Sequence, residues 1–327
     1  MLHDLRDEDR APATGQPARL MRVVSLLPSA TEIICALGAT DMLVGISHEC
    51  DYPARVRGLP TLTRPKIRVD TPSATIDRDV RALVAQGLSV YEIDVARLRA
   101  LAPDVIVTQQ QCEVCAVSFS EVAAAAREAL DHEPVIVSLT PLTLGDVWDD
   151  VRRVAVALGR EARAEELIAE AQARLGAVRA RTAALPRPVV ACVEWLDPLM
   201  TAANWIPEMV TIAGGTYPFA AAGAHSSATS WATLAAAAPD VVVLMPCGFT
   251  VAQTRRELAV LEAHEEWRAL PAVRAGRVSV VDGSAYFNRP GPRLVESTEI
   301  LASLVHPEAC NLDSVKATAV ASRRCEP

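Results

Sequence analysis

The feature that most constrains this chain is an alternation. Short β-branched runs recur between longer Ala- and Leu-rich stretches, the pattern of strands joined by crossover helices in a parallel sheet. It occurs in two blocks. The first predicts strands at Val23 to Leu27, Leu43 to Ile46, Asp104 to Thr108 and Pro134 to Ser138; the second at Val189 to Glu194, Asp240 to Met245 and Arg277 to Val281. Between the blocks Thr143 to Leu158 reads as one helix, Gly159 as a break, and Glu161 to Arg181 as a longer helix that ends near Leu185, before Pro186 and Pro188. In that longer helix Ala164, Ile168, Ala171, Leu175 and Val178 recur at helical spacing and predict one buried stripe. At 1.5 Å per residue it spans roughly 30 Å, the width of a small domain. The expected fold is therefore α/β, with two lobes facing each other across a cleft and one stiff helix limiting their hinge. The divisions that follow are a polar tail over 1–21, a first lobe over 22–140, a helical connection over 141–185, a second lobe over 186–308 and a polar tail over 309–327.

Composition narrows the function. A chain of 327 residues that is 50% hydrophobic can bury a large core. The net charge of −8 opposes a phosphate-binding surface, because nucleic-acid binders need clustered Lys and Arg, so no nucleic-acid partner is expected. Residues 1 to 20 are polar, with no apolar run of signal-peptide type, and no stretch reaches the roughly 18 apolar residues of a membrane span. As the sequence stands this points to the cytoplasm, and to a periplasmic or membrane-associated protein if a leader is missing. The eight cysteines are then expected as reduced thiols, with Cys35, Cys192 and Cys247 filling space in apolar surroundings.

In open parallel sheets, ligands sit beyond the carboxyl ends of the strands, which directs attention to the following loops. After the first strand, Ser29 precedes Glu32 at capping-box spacing, and free amides at this helix start suit a polar or anionic ligand group. The second loop packs His48, Glu49, Cys50, Asp51 and Tyr52 together, side chains that include transition-metal ligands. A later strand runs through Gln110 into Cys112 and Cys115. A lone C-x-x-C lacks the second pair of a structural zinc site, but these thiols and His48 or Cys50 form a candidate metal set across the sheet edge; ordinary loop cysteines are the alternative. In the second block Trp195, Trp205, Trp231, Tyr286 and Phe287 stand near expected strand ends, with Arg289 beside the last two. Since aromatics make up only 4% of the chain, their gathering there predicts a wide cleft for a flat or bulky ligand.

From about Arg22 to His306 the chain resembles the helical-backbone (class III) periplasmic binding proteins, in particular the cobalamin- and iron-chelate-binding components of ABC importers. The resemblance rests on Val23 to Leu37, on Gly45 to Pro53 with its Asp-Tyr-Pro ending, on Leu101 to Asp104, on the long helix and on Ala285 to Arg293. It implies Rossmann-like lobes, little hinge motion and a corrinoid held between aromatic side chains, with Tyr52, Tyr286 and Phe287 in ligand-lining segments and Trp195 and Trp205 where the other lobe closes. It also implies a small-molecule ligand, an ABC permease as partner, a monomer, and no cofactor beyond a cobalamin-like ligand and a metal ion, if one is held. The chain departs from the family in three respects. It shows no leader or lipid-anchor cysteine; the docking glutamates of the family fall near Ala96 and Asn288; and a stretch from about Pro65 to Tyr91, like the Cys-rich loop, is additional. These departures admit intracellular carriage of a corrinoid.

The rival reading is a metal- or thiol-dependent enzyme using His48, Glu49, Cys50, Cys112 and Cys115. No G-x-S-x-G, G-x-x-x-x-G-K-[ST], G-x-G-x-x-G or H-E-x-x-H motif occurs, so a binding protein and no enzyme is the expectation.

Overall fold

The computed structural model describes residues 20–86, 88–110, 119–310 and 320–323. Both blocks fold as the alternation predicts. The first lobe carries four parallel strands in the order Leu43–Ile46, Val23–Ser25, Val105–Gln109, Val135–Leu139. The second lobe has Val190–Trp195, Val241–Leu244 and Val278–Val281 as its parallel centre. Antiparallel edges extend this sheet, with Met200–Thr201 and Ser227–Ala228 on one side and Val320–Arg323 on the other. The last of these lies within the stretch read as a polar tail and pairs antiparallel with Val278–Val281.

Strand periodicity divides each sheet between two cores. Val23, Val105 and Val107 of the first sheet and Val190, Cys192, Val241 and Val243 of the second belong to one continuous apolar cluster. It passes through the helices Pro28–Ala36, Leu144–Leu158, Glu161–Thr182, Ile206–Ile212 and Leu294–Val305. The opposite faces, with Val24 and Ile106 in one lobe and Val193, Val242 and Leu244 in the other, pack into separate clusters. The lobes therefore share a core on the helix side.

The long connection forms as expected. Thr143 and Asp146 make a reciprocal capping box, Gly159 ends the first helix in the left-handed region at φ 63°, and Ala164, Ile168, Ala171, Leu175 and Val178 are all buried along the second. Arg174 on that helix donates to Glu299 at 2.7 and 3.0 Å and to Glu296 at 3.2 Å, tying it to the final helix. Glu208 of the second lobe accepts from the Leu144 amide at 2.8 Å, which covers the start of the preceding helix.

The lobes also repeat one corner. Ala102-Pro103-Asp104 and Ala238-Pro239-Asp240 each place an alanine at positive φ, 38° and 44°, before a proline that stops the helix. The Asp104 carboxylate accepts from the Arg22 amide at 2.8 Å, and that of Asp240 accepts from the Val189 amide, also at 2.8 Å. The same three residues thus set the first strand of each sheet against its neighbour.

Candidate ligand cleft

The loops at the carboxyl ends of the two sheets meet around two arginines. Arg289 and Arg293 stand on either side of Pro290-Gly291-Pro292, after a π-type turn at Gly283–Phe287. Gly283 is needed there, since a Cβ would lie 2.2 Å from the Pro246 carbonyl oxygen. Asp282 caps the turn by accepting from the Ala285 amide at 2.8 Å.

Arg293 grips Glu32 of the first lobe with two prongs, Nε to Oε2 at 2.8 Å and Nη2 to Oε1. Arg289 donates to the same Glu32 at 3.4 Å, to Asp51 at 2.6 Å and to the Glu49 carbonyl at 3.2 Å, while Ser284 lies 3.3 Å from its second nitrogen. Glu32 is only 4% exposed and Arg289 7%. Burial raises the Glu32 carboxyl, and the two guanidiniums draw it back toward ionisation. Burial likewise raises Glu49 and Asp282, both in the field of Arg289. Two-pronged geometry suits guanidinium and carboxylate, so this network fixes the approach of the lobes as well as neutralising charge.

Above this network stand two tyrosines, one from each lobe. The Arg293 guanidinium carbon lies 4.2 Å from the Tyr52 ring centre and 5.3 Å from that of Tyr286. Tyr52 is 43% exposed. An open pocket of about 300 Å³ lies beside Tyr52 and Arg293, with Leu167 and Ala171 of the long helix on another wall.

The other expected residues divide. Gln110 is exposed at its strand end, its amide donating to the Leu139 carbonyl at 3.0 Å. Trp195 is half-buried, 5.2 Å from the Phe249 ring, and donates to the Asp197 carbonyl at 3.1 Å. Trp205 and Phe287, however, are 6% and 0% exposed and belong to the shared core, where the Trp205 indole donates to the Phe287 carbonyl at 3.0 Å. Trp231 stacks on His264 at 4.4 Å and meets Trp267 edge-on, on the outer face of the second sheet. For these three the structure gives packing roles in place of the expected cleft wall. Ser29 is also corrected: the cap is Leu27 with Pro28 opening the helix, Ser29 is buried under Gly291 with its hydroxyl unpartnered, and the carboxylate of Glu32 turns to the arginines instead of closing a box.

Nor do His48 and Cys50 converge. The His48 Nδ1 lies 2.8 Å from the Thr63 hydroxyl, and burial lowers its pKa toward the neutral ring. Cys50 accepts from Thr31 at 3.0 Å on the other side, and burial pushes its thiol up to about 12, so the metal-binding thiolate is disfavoured. Among the described residues no group of three His, Cys, Asp or Glu side chains is placed to hold a metal. Cys112 and Cys115 lie outside the described residues. The docking positions noted above hold Ala96, on the helix Val95–Leu101, and Asn288, whose amide nitrogen is turned inward to the Met245 and Gly283 carbonyls, at 3.0 Å each.

Sequence reasoning missed the part played by Glu32 and Arg293. The available signal was a lone carboxylate in an otherwise apolar helix and a pair of arginines four residues apart around Pro-Gly-Pro.

Two parallel-sheet lobes joined through a long helix, with their strand-end loops meeting, define a two-lobed binding protein of the helical-backbone class. The family described as periplasmic binding protein matches residues 23–285, and the chain belongs to it. Over 294 residues it is 23% identical to an uncharacterised ABC transporter substrate-binding lipoprotein, YvrC, of Bacillus subtilis (strain 168), covering 88% of this chain and 80% of the relative. Its fold matches the periplasmic heme-binding protein RhuT from Roseiflexus sp. RS-1 with a TM-score of 0.66 at 22% identity, covering 88% of this chain and 99% of that one. It matches the periplasmic vitamin B12 binding protein BtuF of Vibrio cholerae with a TM-score of 0.62 at 21% identity, over 87% and 96% of the two chains. Among the described residues no helix is long and apolar enough to cross a membrane.

Proposed function

We propose that this chain binds a corrinoid or a related planar metal chelate between its lobes and hands it to an ABC permease. The observation that carries the reading is the pair Tyr52 and Tyr286, contributed by opposite lobes and flanking Arg293 at the lobe junction. Aromatic faces suit a flat macrocycle, and an arginine between them suits its acidic or amide substituents. The relatives support the same class, since solved structures of this fold are named for heme and for vitamin B12. Their names also favour action outside the cytoplasmic membrane over the cytoplasm that the polar N-terminal stretch pointed to. The enzyme reading loses its main support, because His48 and Cys50 point to different partners.

A visible-absorbance titration with cyanocobalamin, dicyanocobinamide and haemin tests the reading. A saturating spectral change at one chelate per chain is expected with at least one of the three. No change with any of them contradicts the proposal.

A further inference from the structure

The additional stretch from Pro65 to Tyr91 joins the lobes at a second place. It leaves the first lobe at Thr63–Pro65, carries the helix Ser73–Val84 and returns as Tyr91–Ile93, which pairs antiparallel with its outgoing arm. Its base rests on a cleft loop. The Thr63 hydroxyl accepts from the His48 amide at 3.1 Å and meets the His48 ring nitrogen at 2.8 Å, while the Tyr91 ring lies 5.3 Å from that imidazole.

Its far end rests on the other lobe. Ser73 donates its amide to both carboxylate oxygens of Glu257, at 2.9 and 3.1 Å, and its hydroxyl to one of them at 2.5 Å. Glu257 lies between the short helices Val251–Arg256 and Leu258–Glu262, the first of which follows the loop after Val241–Leu244. The base therefore rests on a cleft loop of the first lobe, and the tip on the end of the helix that leaves a strand-end loop of the second.

The contact is unlike an ordinary surface cap. Negative charge at a helix start meets unpaired amides and the positive end of the helix dipole, which strengthens the bonds. Of this twelve-residue helix only Ser73 and Ile76 are buried, so little else anchors it. The helix has no cap from its own side, since Pro72 precedes it and no side chain of its own segment closes the first turn. The opposite lobe supplies that cap.

We propose that the helix Ser73–Val84, carried on the paired arms Thr63–Pro65 and Tyr91–Ile93, is a strap across one side of the inter-lobe cleft, latched by Glu257 to the Ser73 helix start, and that release of this latch admits ligand. The latch stands on the contact itself; the gating rests on the reading of the cleft as a ligand site.

Amide hydrogen exchange and stopped-flow binding of cyanocobalamin together decide it, in the parent chain, Glu257→Ala and Ser73→Ala, with the amides of Val190–Trp195 as the control for an intact fold. Exchange over Ser73–Val84 is expected to quicken on the order of tenfold in both variants while the control amides hold. Unchanged exchange over that helix overturns the latch. For the gate, a severalfold faster association of cyanocobalamin with Glu257→Ala is expected; an equal association rate beside a loosened helix overturns the gating. If the parent chain takes up no cyanocobalamin, association is followed with dicyanocobinamide or haemin instead; a parent that takes up none of the three contradicts the ligand reading and the gating with it, and the exchange result still decides the latch.

Discussion

Arg293 of the second lobe holds Glu32 of the first, its Nε 2.8 Å from Oε2, while its guanidinium carbon lies 4.2 Å from the Tyr52 ring centre and 5.3 Å from that of Tyr286. One side chain thus closes the lobes and supports the aromatic pair. Its partner is almost fully buried and shared with Arg289, so the three charges depend on one another.

Removing the shared acceptor leaves two buried guanidiniums short of a partner. Glu32→Ala is expected to lower stability by about 3–5 kcal/mol, the cost of breaking a buried ion pair from one side. Urea unfolding of parent and variant measures it. A loss under about 1 kcal/mol contradicts a structural role for the network.

The aromatics that are not fully buried are expected to act on affinity instead. Tyr52→Ala, Trp195→Ala and Tyr286→Ala should each weaken binding of the chelate by about 1–3 kcal/mol and leave the unfolding midpoint nearly unchanged. If all three bind as the parent does, the ligand sits elsewhere.

Trp205 reverses that pattern. Its indole donates to the Phe287 carbonyl inside the core, so Trp205→Phe strands a buried acceptor and should reduce stability by about 1–3 kcal/mol. Binding affinity measured well below the unfolding temperature should hold within twofold, as it should in Trp231→Ala. A large loss of affinity in either returns that ring to the cleft.

The fold was legible because its signals are local. β-branched runs, a stripe at helical spacing and Gly159 each act within a few residues, and strands, helix and break all form where they predict. The repeated Ala-Pro-Asp corner is also present in the sequence, though its role depends on the pairing of each sheet's first strand. The site was less legible, because aromatic residues near strand ends look alike in sequence whether they face a cleft or a core. Tyr52 stays exposed while Phe287 is swallowed by the turn that displays its neighbour Tyr286. The partners of Glu32 and Ser73 are more than 180 residues distant, and no spacing rule reaches that far.

One buried carboxyl gives the fold a pH dependence. Asp150 on the connecting helix accepts from the Thr140 amide and pairs with Arg153, yet burial raises its pKa to about 7. A carboxyl with a higher pKa in the folded chain binds more protons when folded. Its contribution is therefore full below about pH 4, the ordinary aspartate range, and is lost as pH rises through about 7. Stability should fall across that window by at most about 1.4 kcal/mol per pH unit. Asp150→Asn should flatten the decline in urea midpoints between pH 5 and 8, and an identical slope contradicts the assignment.

The central claim is that the two lobes hold one planar chelate between tyrosines from opposite sides. Isothermal calorimetry of the full chain against cyanocobalamin, dicyanocobinamide and haemin, repeated with Tyr52→Ala/Tyr286→Ala, tests it most directly. One site per chain is predicted for at least one of these compounds, at micromolar or tighter affinity, about −8 kcal/mol, and weakened at least tenfold in the double variant. Absence of heat with all three, or equal affinity in parent and double variant, would contradict it.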